Sequence, residues 1–199
     1  MIVIIDYGVG NLASITNALN ALGVENVISS DPLTLTKAQA IILPGVGAAG
    51  QGMKNLKKQG LDKIIIEEIK KGKPFLGICL GMQLLFEKSE EGNVKCLGIF
   101  KGVVKKFTKM RKIPQIGWND VRIMNNELRI MQKIPNNSYF YFVNSYYCDP
   151  KDKTIVAGKT TYGETFASIV VKDNIVGVQF HPEKSGKIGF QLLKNFKRF

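Results

Sequence analysis

The residues of this 199-residue chain that could do chemistry fall in two short segments. The first, Gly77-Ile78-Cys79-Leu80-Gly81, follows an apolar run from Pro74 and opens an apolar stretch that runs to Glu87. Its G-x-nucleophile-x-G spacing is that of a strand–turn–helix elbow, with cysteine in place of serine. So sharp a turn crowds the backbone, and the positions two residues either side of the nucleophile must lack a Cβ. The sulfur is then lifted above a sheet at the amino end of a helix, whose dipole favours the reactive thiolate. A free cysteine more commonly packs as a small hydrophobe. That reading suits Cys96 and Cys148, which have no such surroundings, better than it suits Cys79.

A thiolate nucleophile needs a partner to protonate its leaving group. His181 is the only histidine in the chain. It stands in Gly177-Val178-Gln179-Phe180-His181-Pro182-Glu183-Lys184, where Pro182 biases it toward extended backbone. Residues two apart on an extended segment point the same way. Glu183 is therefore expected to orient the imidazole and stabilise its charged form, which completes a triad. Acyl chemistry at Cys79 would develop an oxyanion, with the Leu80 amide as the first expected donor. Leu43-Pro44-Gly45-Val46-Gly47 could supply a second, since ligands collect at the carboxyl ends of strands in an open α/β sheet. Taken alone, Pro-Gly-x-Gly is more often just a turn.

A competing motif is Gly8-Val9-Gly10-Asn11-Leu12-Ala13, which matches G-x-G-x-x-A after the first apolar run. Its acidic partner would be Asp31, but that residue lies beyond two serines and before Pro32, a poor position for a ribose contact.

The elements that must position these groups come in two styles. In the first half, strand signals at 2–6, 27–29, 40–43 and 74–79 alternate with helical spacing at Leu12, Ile15, Leu19 and Leu22, over 53–71 with a break near Gly60, and over 80–87. Gly23 and Gly72 are placed as helix stops. Such alternation implies parallel strands joined by right-handed crossovers. In the second half, 103–107, 120–123, 139–143, 154–159, 166–172 and 175–179 read as strands, and a helix over 187–199 closes the chain. The expected fold is one α/β domain over residues 1–199, a doubly wound, mostly parallel mixed sheet with helices on both faces.

Composition narrows the function. Three cysteines far apart fit reduced thiols in the cytoplasm rather than a disulfide framework. One histidine without paired cysteines argues against a Cys/His metal site, so no metal and no cofactor are expected. The opening residues are not expected to form a signal peptide, and no apolar run reaches the length of a membrane span. The net charge of +12, densest at Lys101, Lys105, Lys106, Lys109, Arg111 and Lys112, reads as a solvated lysine-rich face. An anion-attracting surface is the second reading of it, and nucleic acid is not expected because no stacking platform accompanies the charge.

Taken together the segments resemble the class I (triad) glutamine amidotransferases, nearly end to end. Within them the chain is similar to the glutaminase subunits of imidazole glycerol phosphate synthases. The resemblance rests on Asp6-Tyr7-Gly8-Val9-Gly10-Asn11-Leu12, the 43–47 loop, Gly77 to Phe86, Gly117-Trp118-Asn119, Tyr141 to Tyr147 and Gln179 to Ser185. It implies a Cys79-His181-Glu183 triad that hydrolyses glutamine to glutamate and ammonia. It also implies a glutamine and oxyanion site at Gly45, Val46, Gly47, Leu80, Gln83, Ser145 and Tyr146. Members of the group dock as heterodimers on a (β/α)8-barrel synthase subunit of histidine biosynthesis, to which ammonia is channelled, and Asn11, Trp118 and Lys184 would face that partner. Core packing is the alternative for Trp118. Gln115 and Asn144 stand where the histidine-pathway group commonly carries histidine, which leaves open a related subunit that supplies an amidotransferase of surface-sugar biosynthesis. A non-catalytic binding module on the same fold, or a cysteine hydrolase or redox enzyme on a related sheet, completes the alternatives.

Overall fold

The computed structural model describes residues 1–109 and 112–199, so Arg111 of the basic stretch lies outside the described residues. The first half runs β1 (Ile2–Ile5), α1 (Leu12–Ala21), β2 (Asn26–Ser29), α2 (Pro32–Lys37), β3 (Ala40–Leu43), α3 (Ala49–Lys58), α4 (Leu61–Lys70), β4 (Phe75–Ile78) and α5 (Leu80–Leu84). Two short strands follow, β5 (Lys88–Ser89) and β6 (Val94–Lys95), then β7 (Gly102–Lys106), β8 (Gln115–Ile123), β9 (Ser138–Asn144) and β10 (Tyr146–Pro150). The chain ends with β11 (Val156–Tyr162), β12 (Glu164–Lys172), β13 (Ile175–Val178) and α6 (Gly186–Phe196).

The strands join one mixed sheet in the order β2-β1-β3-β4-β13-β12-β10-β7-β5-β6, with β11, β8 and β9 branching from β12. From β2 to β13 every pairing is parallel. β1, β3, β4 and β13 are buried at all four positions, as strands covered on both faces must be. Their side chains alternate between two cores. Ile4, Ile42, Ile78 and Val178 pack with α1 and α6 through Leu19, Leu192 and Phe196. Ile5, Ile41, Leu43 and Phe75 pack on the other face with α3 and α4 through Leu56, Leu61 and Ile65. Each such side chain contributes about 1.5–3 kcal/mol by leaving water, so helices on both faces fix the strand ends firmly.

Beyond β13 the sheet turns antiparallel, apart from the short parallel pairing of β5 with β7. The β8–β9 ribbon buries one face through Val121, Phe140 and Phe142 and leaves the other open. Among the described residues, no helix is long and apolar enough to cross a membrane.

Candidate active site

The floor of the site is the turn from β4 into α5. Cys79 adopts φ 53° and ψ −108°, a region that costs an L residue on the order of 1–3 kcal/mol. The turn is held by the Cys79 N–H donating to the Val178 carbonyl at 2.8 Å and the Gln83 N–H donating to the Cys79 carbonyl at 3.2 Å. A Cβ on Gly77 would stand 2.8 Å from the Gly81 carbonyl oxygen, and one on Gly81 would land on the Leu43 carbonyl. Close backbone approach is thus the reason for both glycines. The helix after the turn is shorter than expected, stopping at Leu84 rather than Glu87. Its single turn carries little dipole, so the charge on the sulfur depends on side chains instead.

β13 lies beside β4 with Val178 opposite Ile78, so the residues that follow each strand meet. His181 is buried, and its Nδ1 stands 2.9 Å from Glu183 Oε1. The backbone of His181 is held from behind: its main-chain N–H donates to the Tyr141 carbonyl at 2.9 Å, and the Ser185 hydroxyl donates to the His181 carbonyl at 2.6 Å. His181 is itself extended, as its place before Pro182 implies, but Pro182–Lys184 form a 3-10 turn, and it is this turn that swings Glu183 under the ring. Burial pulls the imidazole pKa down, yet hydrogen bonds and charge from Cys79 and Glu183 outweigh it and push the value up to about 10. An imidazolium therefore faces the sulfur at neutral pH.

Above the sulfur opens a cavity of about 360 Å³ lined by Val46, Gly47, Cys79, Leu80, Gln83, Ser145 and Tyr146, among others. That volume falls in the usual range for small-molecule sites, ~300–1,000 Å³. Gly45 is not in its wall. The Gly45 carbonyl accepts the Leu80 N–H at 3.3 Å, so the amide expected to be a free oxyanion donor is engaged, by a long bond. The loop is braced by Tyr7, whose hydroxyl donates to the Pro44 carbonyl at 2.6 Å. Burial, and then the nearby Cys79, push that phenol's pKa upward.

Three further residues, given no role in the site by the sequence, lie at or beside the cavity. Glu91 lines the cavity, and its Oε2 accepts the Ala49 N–H at 2.7 Å. Its only sequence signal was one acidic residue in a run of Lys and Glu. Asn144 also lines it and pairs across the β8–β9 ladder with Gln115. Both are buried, and neither side-chain carbonyl oxygen has a partner among the described residues. Gln179 is fully buried and donates from Nε2 to the Cys79 sulfur at 3.6 Å. Its signal in the sequence is its place two residues before His181.

Comparison with known proteins decides the family. The family model for class I glutamine amidotransferases matches residues 3–198. The chain belongs to the class I glutamine amidotransferases. It is 50% identical over 198 residues to the imidazole glycerol phosphate synthase subunit HisH of Aquifex aeolicus, covering 98% of this chain and 95% of that one. It is 49% identical to HisH of Methanocaldococcus jannaschii, with 98% of each covered, and 47% identical to HisH of Chlorobaculum tepidum, with all of both covered. Among solved structures, the PurLQS complex of Thermotoga maritima aligns with a TM-score of 0.79 at 20% identity, over 99% of this chain and 97% of that one. A crystal structure of a glutamine amidotransferase aligns at 0.78 and 17% identity, over 98% and 97%. These two show the shared fold, with its mixed sheet and flanking helices.

The remaining amidotransferase positions lie on the open side of the molecule. Trp118 is 56% exposed, which overturns the core-packing alternative for it. Its ring meets Tyr141 edge-on at 6.0 Å, and the Lys184 ammonium stands 6.0 Å from the other partner of that contact, the Tyr141 ring. Ile116 and Tyr139 add exposed apolar area on the same face of the β8–β9 ribbon. Asn11 is exposed at the start of α1, where its side chain caps the helix by accepting the Ser14 N–H at 3.2 Å. Asp31, the would-be ribose ligand, caps α2 instead, accepting from the Thr34 N–H and hydroxyl at 2.9 and 2.7 Å. The basic stretch is partly neutralised: Lys101 pairs with Glu87, and Lys105 with Asp149. Among the described residues no cluster of three or more His, Cys, Asp or Glu side chains is placed to hold a metal ion.

Proposed function

We propose that this chain is the glutaminase subunit of an imidazole glycerol phosphate synthase. It hydrolyses glutamine through Cys79, His181 and Glu183 and passes the ammonia to a (β/α)8-barrel synthase subunit in histidine biosynthesis. The observation that carries the reading is the charged His181, held by Glu183 and facing Cys79 on the floor of a cavity of about 360 Å³. Full-length identity of 47–50% to relatives named HisH favours this pathway over the surface-sugar one. The chain works as one amidotransferase domain, in the cytoplasm.

The carboxamide of glutamine enters over Cys79, and the thiolate attacks its carbon. The negative oxygen is met by amides at Val46, Gly47 or Leu80, the last once it leaves the Gly45 carbonyl. His181 gives its proton to the departing nitrogen, the C–N bond breaks, and ammonia and a Cys79 thioester result. A water, deprotonated by the now neutral His181, attacks the thioester and releases glutamate and the thiolate. Gln83, Ser145 and Tyr146 line the glutamine pocket, and the Glu91 carboxylate is the natural partner for the substrate's α-ammonium. The exposed face with Ile116, Trp118, Tyr139 and Lys184, together with Asn11, suits docking on the barrel, since aromatic side chains anchor interfaces.

The test is Cys79→Ala in the assembled complex. Glutamine-dependent turnover should fall by about 1,000-fold or more, while turnover with ammonium salts persists. Retained glutamine hydrolysis would end the assignment of Cys79.

A further inference from the structure

We propose that Gln179 is a positioning residue for the nucleophile: its side-chain amide donates to the Cys79 sulfur, and Gln83 locks it in that orientation. The inference rests on the glutaminase reading, in that Cys79 is taken as the nucleophile.

The orientation follows from the bonding pattern. The Tyr146 backbone carbonyl can only accept, so the Gln83 group that meets it at 3.1 Å is the –NH2. The same Nε2 lies 3.1 Å from Gln179, which must therefore present its carbonyl oxygen there. The Gln179 –NH2 is left facing Cys79 Sγ at 3.6 Å. The Asn144 –NH2 also donates to the Tyr146 carbonyl, at 3.0 Å, and fixes that acceptor in turn. Gln179 is wholly buried, so a reversed amide would leave polar atoms unpaired at a cost of about 1–3 kcal/mol.

The chemistry gives this donor a distinct role. The helix after Cys79 spans only Leu80–Leu84 and supplies little dipole to a thiolate. His181 does supply charge, but it surrenders a proton in the first half of the reaction and must accept one from water in the second. An amide does not titrate, so Gln179 can still donate to the sulfur when thiolate is expelled from the thioester. Because Gln83 both lines the cavity and holds Gln179, the set of the sulfur is tied to the wall that the substrate touches.

The test uses the full-length chain and iodoacetamide, with the label mapped by mass spectrometry across pH. Gln179→Met keeps the length but removes the donor, and Gln179→Glu places an acceptor against the sulfur. Both should move the alkylation profile of Cys79 to higher pH, by about one unit for Met and further for Glu. With the partner present, kcat should fall about tenfold and KM stay within about twofold, as for a group acting on the transition state rather than on substrate binding. Profiles that coincide with the wild type overturn the proposal, as does a shift confined to Gln179→Glu, which would report added charge and not a lost donor. If neither variant folds, Gln83→Met removes the anchor of the Gln179 amide, and the same shift or coincidence decides. A wild-type chain whose Cys79 reacts no faster than Cys96 and Cys148 would instead count against the glutaminase reading itself.

Discussion

The parallel and antiparallel halves of the sheet each bury a cysteine, and the two thiols sit in opposite surroundings. Cys148 sits mid-strand in β10, paired in register with Val104 and Ala167. Burial drives its pKa well up, which leaves it an inert packing group. Cys79 is almost as buried, yet it caps a parallel strand at a strained turn with His181 and Gln179 against its sulfur. In the proposed reaction, burial therefore does not decide which thiol reacts. What decides it is the end of the strand, where parallel neighbours bring the next residues of two strands side by side. The antiparallel half contributes cavity walls through Val143 to Tyr146 and the exposed face that carries Trp118.

The sharpest way to break this contrast is through glycine. Gly81→Ala would put a methyl on the Leu43 carbonyl, backbone against backbone, and should cost at least about 3 kcal/mol in urea unfolding or prevent folding. Gly117 in β8 has φ 137° but open space around it, so Gly117→Ala should cost about 1–2 kcal/mol and fold. Equal costs would mean that the elbow is no tighter than the ribbon.

Next comes Glu183→Gln, which leaves the shape but removes the charge under His181. Glutaminase turnover should drop about 100-fold or more. The imidazole pKa is raised in the folded chain, to about 10, so its contribution to stability is complete below the unfolded value near 6.5 and lost as pH climbs through about 10. The stability gap between wild type and Glu183→Gln should accordingly be widest near pH 6 and close toward pH 11. A gap that widens with pH would reverse the assigned charge.

A smaller effect is expected at the wall. Glu91→Gln should raise KM for glutamine about tenfold and change kcat little, since it removes binding shared by ground and transition states. An unchanged KM would move the α-ammonium elsewhere. Smallest of all, Cys148→Ala should cost about 1–2 kcal/mol in unfolding and leave turnover intact. If turnover falls with it, the two halves are not separate in function.

Much of the parallel half was legible from the chain because its strands and crossovers follow simple periods. Ala40–Leu43 agrees residue for residue, and the break at Gly60 does divide α3 from α4. The start of α3 at Ala49 was hidden by Gly50 and Gly52, and α2 by its short, polar-threaded run from Pro32. The antiparallel half was harder for a definite reason. In β8 the inward positions hold Gln115, Gly117 and Asn119 while Ile116 and Trp118 face out, so the alternation is inverted and the strand seemed to begin only at Asp120. β10 went unseen because only Ser145 separates it from β9 and it closes on Pro150. At the site, residue type pointed to Cys79, His181 and Glu183, because few side chains can do their chemistry. Glu91 and Gln179 carry common side chains, and only the fold brings one to the cavity wall and the other against the Cys79 sulfur.

The chain holds one histidine and one tryptophan, and the fold sends them to opposite ends of the proposed work. His181 lies against Cys79, so a nitrogen-15 spectrum of its ring contains a single imidazole whose resonance needs no assignment and reports the proton it carries. Trp118 lies on the exposed ribbon, so intrinsic indole fluorescence comes from that surface alone and changes when something covers it. Without any label, the two spectra would time catalysis and docking separately in one sample.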